Sequence, residues 1–141
     1  MDRSGTWCNQ RHSTLTIDDD GKGGLTGTIV CTSGEFARFE FPVVGSYDLA
    51  PRLSSTAVAF VTNWASSDAN GHSVTAWSGQ YDADTDTIVA TWMLTAETGV
   101  DPTDEWHSTL VGQDCFSRED RPSSRPTDAA SRHASSHPRH R

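Results

Sequence analysis

The amino-acid sequence predicts an all-β protein, an eight-stranded antiparallel up-and-down barrel. Short runs rich in Val, Ile, Thr, Trp and Phe alternate with polar residues, as strands with one buried face do. Clusters of Gly, Asn, Asp and Ser separate these runs, and no window of 11 or more residues follows the helical period. Because the runs carry no feature that protects a sheet edge, we expect the sheet to close on itself.

The predicted strands follow one another with short polar connections, as in successive hairpins. One turn of helix is predicted within residues 98–104, where Asp101 and Pro102 are typical of a helix start. The eight strands are predicted at residues 5–9, 13–17, 24–31, 39–47, 55–64, 73–81, 87–95 and 106–116.

Gly27, Gly45 and Gly79 each lie inside a predicted strand, within segments of similar sequence. Glycine weakens a strand and occurs there mainly where the chain bends or where another backbone comes close. We expect these positions to lie at such points of a small barrel, whose interior holds one small ligand or is filled by side chains.

Composition divides the chain into a folded domain, residues 1–116, and a C-terminal tail, residues 117–141. The tail has no Val, Ile, Leu, Phe, Tyr, Trp or Met, so it lacks the apolar surface that would offset the loss of chain entropy. We expect it to be disordered. Six of the 11 Lys and Arg residues and three of the 19 Asp and Glu residues lie in the tail, which therefore has a net charge of +3 and leaves the domain with −11.

These features argue against several functional classes. The acidic domain disfavours nucleic acid as a partner, because phosphate binding needs a basic surface. No apolar run approaches the 18 residues of a membrane span. The start of the chain has no apolar segment typical of a signal peptide, so we expect a cytosolic protein or one whose leader was removed. His133, His137 and His140 do not have the spacing of a closed metal site, and no metal or cofactor is expected.

Alternation along two predicted strands places hydroxyl and aromatic side chains on the same face. Ser73, Thr75 and Trp77 share one face of their strand, and Trp92 and Leu94 share one face of the next. Hydroxyl groups beside aromatic walls suit a small ligand that is partly apolar. Tryptophans in a small β domain are equally typical of an ordinary core, so the residue pattern alone leaves both interpretations open.

Five segments of the chain resemble the avidin/streptavidin family, in the family's order and across nearly all of residues 5–116. One such segment is weakly specific, but five in register are highly specific. The resemblance implies the family's eight-stranded barrel, with biotin as a ligand and no catalytic activity. The segments are GTWCNQ with Ser13 (5–13), LTGT (25–28), TAWSGQ (75–80), WML (92–94) and WHSTLVGQD (106–114).

The resemblance also implies a role for each matching residue. Asn9 and Ser13 are expected to hydrogen-bond the ureido oxygen of biotin. Asp114 is expected to accept from a ureido N–H and to hold Asn9 in place. Thr75 is expected near the ring sulfur and Ser73 near the valerate carboxylate. The expected apolar walls are Trp64, Trp77, Trp92, Leu94 and Leu110, with Trp106 contributed to the pocket of a neighbouring subunit.

The same resemblance implies a homo-oligomer, in which the shared Trp106 links ligand binding to assembly. It leaves a dimer and a tetramer as open alternatives.

Three positions depart from the family pattern and predict weaker biotin binding than in its tightest members. Ile29 stands where the family usually has a tyrosine hydroxyl, Cys31 stands near a usual Ser or Thr, and Ala96 lacks a hydroxyl that some relatives have. A thiol is a poor acceptor, and each lost partner of a buried polar group costs about 1–3 kcal/mol. Thr32 or Ser33 could replace the missing hydroxyl only through a strand shift that turns them to the wrong face.

The cysteines predict one disulfide. If Asn9 and Asp114 face each other across the first and last strands, Cys8 and Cys115 are also directly opposed. We therefore expect a Cys8–Cys115 disulfide on the outer face and a single Cys31 that faces the pocket. A disulfide favours an oxidising compartment, so the protein is expected to be secreted.

Three other classes of function remain as alternatives. A lipocalin-like carrier of another small apolar ligand would share the barrel but would not be stabilised by biotin. A purely structural oligomer would ignore small ligands. A hydrolase could combine Asp114 with Ser13, His72 or His107, but the sequence has no nucleophile elbow, metal motif or phosphate loop. Both histidines are expected at the surface.

Overall fold

Each strand pairs with its neighbours in the chain, and the last strand pairs with the first. The computed structural model, which describes residues 2–34, 36–97, 108–118 and 136, is a closed antiparallel barrel. The all-β class and the up-and-down order predicted from the sequence are therefore confirmed. The strands are β1 (Gly5–Cys8), β2 (Thr14–Asp19), β3 (Gly24–Val30), β4 (Glu40–Tyr47), β5 (Ser55–Ala65), β6 (Asn70–Asp82), β7 (Thr87–Ala96) and β8 (Thr109–Arg118).

Alternation along the strands decides which side chains fill the barrel. In β5, Val58, Phe60 and Trp64 are buried, whereas Val61 between them is 47% exposed. This two-residue period is that of a strand with one face turned inward. β8 continues through Arg118, so Ser117 and Arg118 belong to the barrel although composition assigned them to the tail.

Gly27, Gly45 and Gly79 lie where neighbouring strands come too close for a side chain. A Cβ atom at any of these positions would collide with a backbone carbonyl oxygen of the adjacent strand. The predicted close approach of backbones at these glycines is therefore confirmed.

The β2–β3 connection is held by the side chain of Asp20. Its Oδ1 accepts from the backbone N–H of Lys22 (2.7 Å) and of Gly24 (2.8 Å). Gly21 and Gly23 have φ angles of 72° and 94°, which favour glycine. Local hydrogen bonds and two glycines thus make this tight turn.

One end of the barrel is closed by aromatic and charged side chains. Trp7 is fully buried, and its ring lies perpendicular to that of Tyr81 at a centroid distance of 6.0 Å. The Arg118 guanidinium lies 3.9 Å from the centroid of the Trp7 ring, and the Arg3 guanidinium lies 4.1 Å from that of Tyr47. Both contacts combine burial of apolar surface with attraction between a cation and an aromatic ring.

The seam between β1 and β8 closes the barrel through few backbone contacts. Trp7 pairs with Arg118, and Cys8 pairs with Ser117. The Arg118 side chain strengthens this seam, because its Nε donates to Asp86 Oδ2 at 3.0 Å. Its terminal nitrogens donate to the backbone carbonyls of Asp2 and Ser4, which precede β1.

The predicted Cys8–Cys115 disulfide is wrong because the seam has a different register. Cys8 lies opposite Ser117, so Cys115 is offset from it by two residues. Diagonal neighbours of this kind have Cα atoms about 7–8 Å apart, beyond the usual disulfide span of about 4.4–6.8 Å. All three cysteines lie in the described ranges, and all are free thiols.

Some predicted features lie outside the described residues. These are the helical turn at 98–104, Trp106 and His107. Within the described ranges, no helix is long and apolar enough to cross a membrane.

Replacing Arg118 with alanine should lower the free energy of unfolding by about 1–2 kcal/mol. The change removes a partly shielded ion pair, two bonds to backbone carbonyls and the guanidinium above Trp7. Urea denaturation followed by circular dichroism measures the loss. The matched control is Arg52→Ala, which removes an exposed arginine away from the seam. Equal unfolding free energies for the two variants would show that Arg118 does not hold the seam.

Candidate ligand-binding site

The barrel contains polar side chains that are buried as deeply as its core. The exposed fractions are 3% for Asn9, 1% for Ser13, 0% for Thr75 and 1% for Asp114. Burying a polar group costs free energy unless the group finds a hydrogen-bond partner. The partners of these atoms therefore indicate what the interior can bind.

The turn after β1 orients the Asn9 side chain. Asn9 Oδ1 accepts from the backbone N–H of Arg11 (3.0 Å) and of Ser13 (2.9 Å). Both bonds need an acceptor, so they identify the oxygen of the amide and turn its nitrogen away. Asn9 Nδ2 has no hydrogen-bond partner among the described residues. The turn thus presents a buried N–H donor.

Asp114 is held by two donors from different parts of the chain. Trp77 Nε1 donates to Asp114 Oδ2 at 2.9 Å, and Gln10 Nε2 donates to Asp114 Oδ1 at 3.1 Å. Gln10 also accepts from the N–H of Cys115 at 2.9 Å, so its side chain extends the seam beyond β1. Gln10 therefore takes the place predicted for Asn9. A carboxylate has about four acceptor positions, which leaves capacity for a donor from a ligand.

Tryptophans form apolar surfaces beside these polar groups. Trp64, Trp77 and Trp92 are each at most 1% exposed. Trp64 Nε1 donates to Thr75 Oγ1 at 2.7 Å, and the Trp77 ring stacks on Phe60 at a centroid distance of 4.9 Å. The Trp64 and Trp77 rings are thus fixed by hydrogen bonds and by packing on their neighbours.

Cys31 faces the interior, as predicted. It is 2% exposed, and burial raises the pKa of its thiol to about 12. The Asp114 carboxylate also raises this pKa, and the Ser13 hydroxyl lowers it, so both groups lie near the thiol. Ile29 is buried as well, whereas Thr32 is exposed, which shows that β3 has not shifted to bring a hydroxyl inward.

The remaining predicted residues lie toward the other end of the strands. Leu94 and Leu110 are directly paired and therefore project on the same side of the sheet, but Leu110 is 41% exposed. Ser73 is 7% exposed. The predicted residues that the structure places in the interior are Asn9, Ser13, Cys31, Trp64, Ser73, Thr75, Trp77, Trp92, Leu94 and Asp114, with Leu110 at the edge.

Several polar atoms of this interior have no partner in the described part of the chain. Each such buried atom costs about 1–3 kcal/mol, and native proteins leave few of them. A ligand with complementary groups would satisfy them. These atoms are Asn9 Nδ2, Ser13 Oγ, Thr62 Oγ1, Ser73 Oγ and Trp92 Nε1.

Three contributors were not predicted. Alternation from Trp64 back along β5 could have identified Thr62, because every second residue faces inward. Gly112 lies opposite Trp92, where a Cβ atom would collide with the indole ring. No pattern within one strand indicates the role of Gly112 or of Gln10, because both roles depend on which residues of another strand lie beside them.

His72 lies at the surface, as predicted. It is exposed, and its Nδ1 is 3.4 Å from Glu97 Oε2. This position is on the outer side of β6, so His72 does not meet the buried Asp114 and Ser13 as a hydrolase would require.

A closed barrel with aromatic walls and unpaired polar atoms in its interior is characteristic of proteins that enclose one small ligand. The sequence model of the Avidin family matches residues 1–119, which include all eight strands. The chain therefore belongs to the avidin family, as the resemblance in the sequence had indicated. This family consists of biotin-binding proteins without catalytic activity, which are typically oligomeric and secreted.

The buried thiol predicts a loss of stability in alkaline solution. In the folded protein, burial raises the pKa of Cys31 from 9.0 to about 12. Between these two values the unfolded chain has released the proton and the folded protein has kept it. The free energy of unfolding therefore falls as the pH rises, by about 2 kcal/mol near pH 10.5 from this thiol alone.

Urea denaturation near pH 8 and near pH 10.5 measures this fall. Cys31→Ala is the matched comparison, since it removes the thiol and leaves other ionisable groups in place. The variant should lose about 2 kcal/mol less than the natural protein between the two pH values. Equal losses would contradict the assignment.

Proposed function

We propose that this protein binds biotin inside the barrel, without chemical turnover. The observation that carries the proposal is the set of unpaired buried polar atoms beside the Asp114 carboxylate and the tryptophan walls. Membership of the avidin family supports biotin as the ligand.

The polar groups match the ureido ring of biotin, which has one carbonyl oxygen and two N–H donors. Asn9 Nδ2 and Ser13 Oγ can both donate to the carbonyl oxygen, and Asp114 can accept from an N–H. Donors at one end of the ureido group and a charged acceptor at the other polarise it in the same sense. Hydrogen bonds to an ionised partner are about twice as strong as neutral ones.

The rest of the ligand is matched by the walls. Trp64, Trp77 and Trp92 provide apolar surface for the fused rings and the valerate chain. Thr75 is the hydroxyl proposed to face the ring sulfur. Ser73 lies closer than Thr75 to the start of β6, and its Oγ is proposed to donate to the valerate carboxylate.

Binding is proposed to be weaker than in the tightest family members. Ile29 is buried and offers no donor at the position where the family usually has a tyrosine. Cys31 offers a thiol in place of a hydroxyl. Thr32 is exposed and lies near the carbonyl of Arg11, so it does not replace the missing group.

The outer surface supports a homo-oligomer. Val44, Val61, Ala76, Met93 and Val111 are paired in sequence across β4 to β8 and form one continuous row. The four larger side chains of this row are 47–56% exposed. A contiguous exposed apolar patch of this kind is typical of an interface. We assign it to a second copy of the chain, in a dimer or a tetramer.

Two further expectations rest on the family alone. Trp106 is proposed to enter the pocket of a neighbouring subunit. Secretion no longer has the support of a disulfide, since Cys8 and Cys115 are not bridged.

A lipocalin-like carrier of a purely apolar ligand is less well supported. Such a ligand would leave the unpaired donors of the interior without partners and would bury the Asp114 carboxylate against an apolar group.

Asp114→Ala should weaken biotin binding by about 3 kcal/mol, or more than a hundredfold. The change removes the charged acceptor of a ureido N–H and leaves Trp77 Nε1 and Gln10 Nε2 without their bonds to it. Isothermal titration calorimetry measures the affinity. Asp84→Ala removes an exposed carboxylate and is the control for charge. Equal biotin affinities for the two variants would contradict the proposed site.

Met93→Glu should shift the protein toward monomers, because a carboxylate in the apolar row would lose its hydration in an interface. Sedimentation velocity measures the mass of the assembly. Thr91→Glu is the control on the same strand and face, since Thr91 lies between Ser78 and Gln113 in a polar row. An unchanged mass for Met93→Glu would show that copies associate elsewhere.

A further inference from the structure

One residue of the predicted tail is buried in the protein. Ser136 lies far beyond the end of β8 in the sequence, in a region whose composition predicts exposure to solvent. In the structure it is 1% exposed. Burial of Ser136 is therefore not what the composition of the tail predicts.

The contact that Ser136 makes is with a residue of the proposed biotin site. Thr75 Oγ1 donates to the backbone carbonyl oxygen of Ser136 at 2.6 Å. The same oxygen of Thr75 accepts from Trp64 Nε1 at 2.7 Å. A hydroxyl has one proton to donate. The donor of Thr75 is therefore already engaged, and a ligand that needs it must displace Ser136.

We propose that the C-terminal segment carrying Ser136 occupies the barrel at Thr75 and competes with the ligand. The segment belongs to the same chain as the barrel, so its effective concentration near Thr75 is higher than that of a separate molecule. The net charges of the two parts, +2 for residues 119–141 and −10 for residues 1–118, also favour their association.

The occupant leaves most of the polar interior unsatisfied. With Ser136 in place, Asn9 Nδ2, Ser13 Oγ, Ser73 Oγ and Trp92 Nε1 still have no partner among the described residues. A ligand that reaches these atoms makes bonds that Ser136 does not make. Of two groups that compete for the same site, the one that forms more hydrogen bonds with these buried atoms is favoured. The segment is thus a weak occupant that a well-matched ligand displaces.

Docking rests on the Ser136–Thr75 contact alone, whereas competition rests also on the proposed function. The first experiment tests docking without biotin. Trypsin can cleave after Arg132 and after Arg139, which flank Ser136, but Arg121 and Arg125 each precede a proline and resist cleavage. Docking should slow cleavage at the two flanking sites.

Three variants of the full chain make the measurement specific. Ser136→Trp introduces a ring too large for a position that is 1% exposed, so cleavage should become about threefold to tenfold faster, as expected for the loss of one hydrogen bond. Ser136→Ala keeps the carbonyl and should be cleaved like the natural protein. Ser123→Trp repeats the tryptophan substitution elsewhere in the tail and should also have no effect. Equal cleavage of Ser136→Trp and the natural protein would overturn docking.

The second experiment tests competition by calorimetry with biotin. Ser136→Trp should bind biotin about threefold to tenfold more tightly than the natural protein and than Ser123→Trp. Biotin should also raise trypsin cleavage of the natural protein to the rate of Ser136→Trp. An unchanged affinity of Ser136→Trp would overturn competition.

The two experiments separate the two proposals. If none of the proteins binds biotin, the proposed ligand is wrong, and the trypsin comparison still decides whether the segment docks. Protection that is constant upon dilution supports docking within one chain. Protection that disappears upon dilution would show that the segment comes from another copy, which overturns the proposal as stated.

Discussion

The return of β8 to β1 is the constraint on which the rest of the structure depends. A ligand can be enclosed only if the sheet closes, and the closing seam has few backbone contacts. Side chains complete it at both ends: Arg118 joins the segment before β1, and Gln10 extends the pairing past Cys8 to Cys115 and Asp114. Closure therefore has a second effect besides removing a sheet edge. The Gln10 side chain that completes the seam also positions Asp114, the only carboxylate among the buried polar residues that the structure describes.

Two regions of the interior affect stability in opposite ways. Around Trp7, aromatic rings and two guanidinium groups pack closely, and this packing favours the folded state. Around Asp114, several polar atoms are buried without partners in the described structure, and each of them disfavours it. Such a site is tolerable only because the rest of the barrel is well packed. The free energy that these unpaired atoms cost is recovered when a complementary group binds them, which couples affinity to folding.

Much of the fold and part of the site could be predicted from alternation alone. A strand has a period of two residues, so the shared faces of Ser73 and Thr75, or of Trp92 and Leu94, follow from spacing. The register in which β1 pairs with β8 could not be predicted from alternation. The chain leaves β1 at Cys8 and turns. The observed register of the seam differs by two residues from the predicted one, which placed Asn9 opposite Asp114. The same offset explains why the disulfide was wrong and why Gln10 was missed.

By itself, the sequence determined the all-β class, the order of the strands, the residues that share a face in β6 and β7, and the membership of the avidin family. These are properties of short segments and of their order, so they need no knowledge of distant contacts. Only the tertiary structure decided that Gln10 holds Asp114, that the Cys8 and Cys115 thiols stay free, and that Ser136 engages the Thr75 hydroxyl. The physical reason is that hydrogen-bond partners are chosen among residues far apart in the chain, and a shift of two residues exchanges every partner while leaving the pattern of faces unchanged.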